Sequence, residues 1–230
     1  MARGALRRRD GAAVRPRLLP LRHRPARLPP WQPAGRARRR TVRLFVALNL
    51  PPAVREAVWA AAAPLRELQL PVNWVRADGV HLTLKFLGEV SDEQEPELLA
   101  ALAQAAGSGE GASRGIPLAL GGFGVFPDLR RPRVVWVGVA PEPALELLQH
   151  RVEQAFAPLG FPTEGRPFRP HLTLGRAARD AGAPAFRGLA EALAGLEFAE
   201  TARVDSLDLM ESTLQRGGAV YHVRRSERLD

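Results

Sequence analysis

Two tetrapeptides carry the chemistry open to this sequence. They are His81-Leu-Thr-Leu84 and His171-Leu-Thr-Leu174, identical and 90 residues apart. At this chain's composition, a second copy by chance has odds on the order of one in a few hundred. On a β-strand alternate side chains share a face, so each His and Thr point one way and the leucines the other. The leucines belong to a core, and the imidazole and hydroxyl line the opposite face. Two imidazoles with an ordinary pKa of ~6.5 can share acid and base roles near neutral pH, one entering neutral and one protonated. Threonine hydroxyls and an arginine fork suit phosphate oxygens, whose charge they stabilise as phosphorus becomes five-coordinate. Lys85 follows Thr83 by two residues and is expected on the same face, while Arg176 lies five past His171. The pattern reads as phosphoester hydrolysis by acid–base catalysis.

Rival chemistries find less support. A lone H-x-T in a strand is ordinarily structural, and only its duplication lifts it above that. There is no H-E-x-x-H, neither motif contains Asp or Glu, and Thr is a poor ligand, so no metal and no cofactor are expected. The absence of cysteine removes disulfides, thiolate nucleophiles and Cys-ligated metals. No G-x-x-x-x-G-K-[ST] loop occurs, and Gly121-Gly-Phe-Gly124 lacks the strand-to-helix setting of a dinucleotide loop; it reads as a strand bend. His150, in a helical stretch, and His222, on a terminal strand, read as structural.

The elements that must hold the motifs are short and alternate in type. Val42 to Leu50 is an apolar strand, and Pro51-Pro52 open a helix that Pro64 kinks or ends. Strands are expected at Val72 to Arg76 and Val80 to Leu87, around the Ala-Asp-Gly turn. Ser91 and Gln94 suggest a capping box for a helix running to about Ala106, and Gly107 to Gly115 is a loop. Further strands are expected at Ile116 to Val125, Arg133 to Val139 and Leu172 to Leu174. Helices are expected at Pro143 to Ala157 and Phe186 to Leu193. Two closing strands, Arg203 to Leu214 and Val220 to Arg224, pair around Gly217-Gly218.

This layout repeats. Arg43 and Arg133 open corresponding strands, Pro51 and Pro141 follow them, and each H-x-T-L comes after a helix, all at an offset of 90. The expected fold class is therefore α+β and bilobal. Two lobes related by a pseudo-two-fold have largely antiparallel sheets flanked by helices, and they face each other across a central cleft.

The net charge of +9 is unevenly spread. Residues 1–40 hold 13 Arg and one acid, Asp10, while the remainder sums to −3. That Arg/Pro-rich segment has six prolines and no apolar periodicity, so it is expected to be a disordered and dispensable tail. An RNA-binding arm is the electrostatic alternative. The domain is expected over residues 41–230. No stretch is long and apolar enough for a membrane-spanning helix.

From about Arg43 to Arg225 the chain resembles the two-histidine phosphoesterases, and within them the RNA 2′,3′-cyclic phosphodiesterases, also called the 2′-5′ RNA ligase family. The matching strings are R-L-F-V-A-L, H-L-T-L-K-F-L-G-E-V, G-V-F-P before R-R-P-R-V-V-W, R-P-F-R-P-H-L-T-L-G-R and L-M-E-S-T-L. The resemblance implies hydrolysis of RNA 2′,3′-cyclic phosphate ends to 2′-phosphomonoesters. It makes His81 the proton donor and His171 the proton acceptor, an order that the residues alone leave open. Thr83, Thr173 and Arg176 would hold the phosphate. Phe123, Phe126, Arg130 and Arg131 are further candidates, where an aromatic beside cations could stack a base. A monomeric, cytoplasmic enzyme acting on cyclic-ended RNA or oligonucleotides is expected. Two alternatives stay open: the same site joining 2′-5′ linkages or opening a small cyclic phosphate, and a non-catalytic RNA-binding protein.

Overall fold

A computed structural model describes residues 41–107, 115–215 and 218–229. The tail expected over residues 1–40 lies outside them. The strands are β1 (Thr41–Asn49), β2 (Val72–Trp74), β3 (His81–Ser91), β4 (Ile116–Phe126), β5 (Val134–Val139), β6 (His171–Ala177), β7 (Ala199–Val204), β8 (Ser206–Gln215) and β9 (Gly218–Arg228). The helices are α1 (Pro52–Ala61), α2 (Ala63–Glu67), α3 (Glu95–Ala106), α4 (Pro143–Phe156) and α5 (Leu189–Ala194). No helix among the described residues is long and apolar enough to cross a membrane.

All nine strands join one sheet in the order β7-β4-β5-β6-β3-β1-β8-β9, with β2 beside β6. Every pairing is antiparallel. The two motif strands, β3 and β6, are neighbours at its centre and meet where Leu82 lies opposite Leu172. The main path of the sheet therefore divides into two four-stranded halves running outward from this pair, the two lobes, with β2 added on the β6 side. They are not consecutive in sequence: β4 follows β3 yet pairs with β5, and β8 follows β7 yet pairs with β1. In the registers, Ala47 lies opposite Thr83 and Trp136 opposite Thr173. The correspondence of β1 with β5 is thus one residue short of the 90 that separates the histidines.

Even positions of β1 face the core. Val42, Leu44, Val46 and Leu48 are buried with Leu82, Leu84, Leu172 and Leu174 against Val58, Leu65, Leu98, Leu102, Leu148 and Phe156 from the helices. Burying each such side chain contributes about 1.5–3 kcal/mol. The helices thus cover one face and leave the other to the site. A small second cluster, Phe45, Ala47 and Met210 with Tyr221 packed on it, sits on that open face.

Two expectations about elements are corrected. The closing strand from Arg203 to Leu214 is two strands, broken at Asp205. Val204 pairs with β4 and Ser206 with β9, at opposite parts of the sheet, so one linking residue requires a sheet curled until its ends approach. Asp205 O accepts from Leu229 N at 2.8 Å across that closure. Ser91 makes no side-chain cap: a 3-10 turn at Asp92–Gln94 comes between it and α3. The tip expected at Gly217-Gly218 lies partly outside the described residues, as does most of the loop from Gly107 to Gly115.

Candidate active site

The Leu82–Leu172 register builds the site. Continued one residue either way, it sets His81 beside Thr173 and Thr83 beside His171, all four on the face away from the leucine core. Both imidazoles are fixed in the same manner. His81 Nδ1 donates to Gly79 O at 2.8 Å, and His171 Nδ1 donates to Arg169 O at 2.7 Å. A carbonyl can only accept, so in each ring Nδ1 carries the hydrogen and Nε2 is left for proton exchange with a ligand.

β-bulges then decide which cation joins them. In β6 the pairing passes from Trp136–Thr173 to Val135–Gly175, so Leu174 and Gly175 both face the core and Arg176 returns to the site face. The matching slip in β3, between Ala47–Thr83 and Val46–Lys85, has the opposite consequence for Lys85. Expected beside Thr83, Lys85 is instead buried on the core side. Its Nζ donates to Glu153 Oε2 at 2.5 Å and to Pro162 O at 2.9 Å. Phe86 takes the site face in its place and is 66% exposed.

A cleft of about 770 Å³ opens here, lined among others by His81, Thr173, Arg176, Phe45, Phe86 and Tyr221. The His81 ring packs 4.8 Å from both Phe45 and Tyr221, between ring centroids. Burial by these walls lowers its pKa from 6.5 to about 4; the Gly79 hydrogen bond opposes the shift, and Arg176 and His171 add to it. Burial also lowers His171, against the Arg169 hydrogen bond and with help from Arg176. Both imidazoles are therefore neutral at pH 7. Burial raises the Tyr221 pKa, opposed by Arg176 and Arg43. Beside His81 in register, Asn49 donates to the buried Asp208 at 2.7 Å, which also accepts from Ser226 Oγ.

The remaining candidates separate. Phe126 is on the site face, its ring 4.9 Å from His171 and 5.1 Å from Trp136. Phe123 is not. It lies opposite the fully buried Val137, packs on the core and meets Phe198 at 6.0 Å, because Gly122 (φ +68°) inserts a bulge that reverses the alternation. Arg130 and Arg131 sit in an exposed turn, their backbone N–H groups donating to Asp128 Oδ1. Gly124 is small for a reason, since a Cβ there would meet the Trp136 ring at 2.3 Å. Phe45, Phe86 and Tyr221 were not singled out from the sequence. Only the odd parity of Phe45, opposite to the core-facing residues of β1, pointed to its position.

Comparison with known proteins identifies the family. The model of the 2′-5′ RNA ligase superfamily matches residues 54–216, which include both motifs. Over 153 residues the chain is 33% identical to the RNA 2′,3′-cyclic phosphodiesterase of Aeropyrum pernix, an alignment covering 66% of this chain and 83% of that protein. TT0787 of Thermus thermophilus superposes with a TM-score of 0.66 at 28% identity, over 81% of this chain and 97% of that one. E. coli LigT complexed with 3′-AMP gives 0.63 at 30% identity, over 83% and 99% respectively.

Proposed function

Because the chain belongs to the 2′-5′ RNA ligase superfamily, we propose that it is an RNA 2′,3′-cyclic phosphodiesterase that opens the terminal cyclic phosphate to a 2′-phosphomonoester. The observation that carries this reading is the cross-strand pairing of two H-x-T units, each with its imidazole anchored through Nδ1. His171 Nε2 takes a proton from water as the water oxygen attacks phosphorus. The bond from phosphorus to the 3′ oxygen breaks, and His81 Nε2–H gives that oxygen its proton. Thr83, Thr173 and Arg176 hold the non-bridging oxygens, whose charge grows in the five-coordinate state. No metal is needed in this scheme. Among the described residues no three His, Asp or Glu side chains gather as a metal-binding group.

His81 must enter protonated, although its aromatic walls make that costly. The phosphodiester's negative charge supplies the missing stabilisation: it offsets Arg176, which otherwise lowers both imidazoles. A second reading exchanges the two roles, and the low His81 pKa favours it, since a neutral imidazole is ready to act as base. Incubating the protein with cyclic-ended RNA and analysing the product end tests the activity and the bond that breaks. A 2′-phosphate supports departure of the 3′ oxygen, a 3′-phosphate overturns that regiochemistry, and an intact cyclic end overturns the activity.

A further inference from the structure

We propose that the cleft carries a second phosphate site at Arg43, one nucleotide upstream of the reacting end, so that oligonucleotides are taken in preference to mononucleotides. This rests on reading the cleft as that of a cyclic phosphodiesterase. The odd residues of β1 face the site, and Arg43 is on that face, two residues before Phe45. It lines the same cleft as His81 and Arg176, at the end formed with Ser212 of β8, its register partner.

The two cleft arginines differ in reach. Arg176 acts electrostatically on His81, His171 and Tyr221, whereas Arg43 acts on Tyr221 and on neither histidine. Arg43, Ser212 and Tyr221 form one cross-strand row over β1, β8 and β9, and the Tyr221 ring lies 4.8 Å from His81, so Tyr221 stands between Arg43 and the reacting end. The terminal nucleotide and its cyclic phosphate take the inner end, where Arg176 serves. Beside them, the exposed Phe86 ring lies 6.1 Å from Phe45, tilted 43° to it, and gives the cleft an apolar wall.

Arg43 is also unspent. No ion pair within 4 Å holds it among the described residues, although Glu89 lies opposite it on β3 and Glu211 is nearby on β8. Glu211 is taken by Arg224 at 3.2 Å, and Arg224 is also held by Glu95. An unpaired arginine at the mouth of a cleft with an aromatic wall matches the chemistry of single-stranded RNA, a phosphate beside a stackable base. The occupant is the phosphodiester linking the terminal nucleoside to the one before it.

The test uses the full chain, an Arg43→Gln variant, and Arg187→Gln as a charge control on an exposed residue outside the cleft. kcat/KM is measured on a cyclic-ended mononucleotide and a cyclic-ended trinucleotide, and binding of an uncleavable 3′-phosphorylated trinucleotide is followed by fluorescence anisotropy. Arg43→Gln is expected to lower the trinucleotide-over-mononucleotide ratio about tenfold, through KM. It should also reduce the salt slope of trinucleotide binding by about 0.7, the value for one phosphate contact on a single strand. Arg187→Gln is expected to change neither. An unchanged ratio and slope in Arg43→Gln would overturn the subsite, as would an equal loss on both substrates, the sign that Arg43 serves only to neutralise Glu89. If the wild type turns over no cyclic ester yet loses trinucleotide affinity on Arg43→Gln, the subsite stands and the phosphodiesterase reading falls.

Discussion

Replacing His81 with Phe should make the protein less sensitive to acid. The folded-state pKa of His81 is about 4 against an ordinary 6.5, because Phe45 and Tyr221 wall it from water. Between those two pH values the unfolded chain binds a proton at this position that the folded chain refuses. Stability therefore falls as pH drops through the window and levels off below about 4. At about 1.4 kcal/mol per pKa unit, the loss assigned to this one ring is on the order of 3 kcal/mol. Phe keeps an aromatic ring between the same walls and cannot titrate. It also loses the hydrogen bond to Gly79 O, a cost of about 1 kcal/mol that does not vary with pH. The comparison is thus between slopes. Urea unfolding of wild type and His81→Phe at pH 7 and pH 4 should show the variant losing about 3 kcal/mol less on acidification, with His171 contributing a residual loss of the same sign in both. Parallel curves for the two proteins would refute the account of His81 as an imidazole kept neutral by its surroundings.

Other perturbations separate the catalytic groups from the scaffold. His81→Ala and His171→Ala should each cost at least about a hundredfold in kcat on a cyclic-ended RNA, while Thr83→Ala and Thr173→Ala cost less, one hydrogen bond among several. Steady-state kinetics would check the ranking. Lys85→Ala should destabilise by about 3–5 kcal/mol, because it leaves the buried Glu153 without its charge partner. The double change Lys85→Met with Glu153→Leu should recover most of that loss in thermal or urea unfolding. Turnover should persist in EDTA and follow a bell-shaped pH profile, as one neutral and one protonated imidazole require; loss of activity restored by added Zn²⁺ or Mn²⁺ would contradict the scheme.

Much of the site was legible because alternation along a strand is a local property. His81, Thr83, His171 and Thr173 share one face for the reason the sequence suggests, and their leucines fill the core. The adjacency of β3 and β6 at the sheet centre followed less directly. The repeat implied paired lobes, but nothing local shows that β4 and β8 each cross to the other half. Bulges were the larger blind spot. One added residue reverses facing, so Lys85 entered the core, Phe86 and Arg176 reached the site face, and Phe123 left it. Gly88 and Gly122, both with positive φ, lie at or beside such slips, yet a glycine in a strand does not announce which way its neighbours turn. The strand break at Asp205 was hidden for another reason: it depends on the curl of the whole sheet, which no segment of the chain encodes alone.

The central claim is that the paired H-x-T units hydrolyse a 2′,3′-cyclic phosphate by proton transfer alone. Its most direct test is ³¹P NMR of the full chain acting on a cyclic-ended RNA in EDTA, with His81→Ala and His171→Ala run alongside. The account predicts that wild type converts the cyclic phosphorus signal to that of a 2′-phosphomonoester while both variants leave it essentially untouched. A cyclic signal that persists with wild type, or one that disappears equally in the histidine variants, would contradict it.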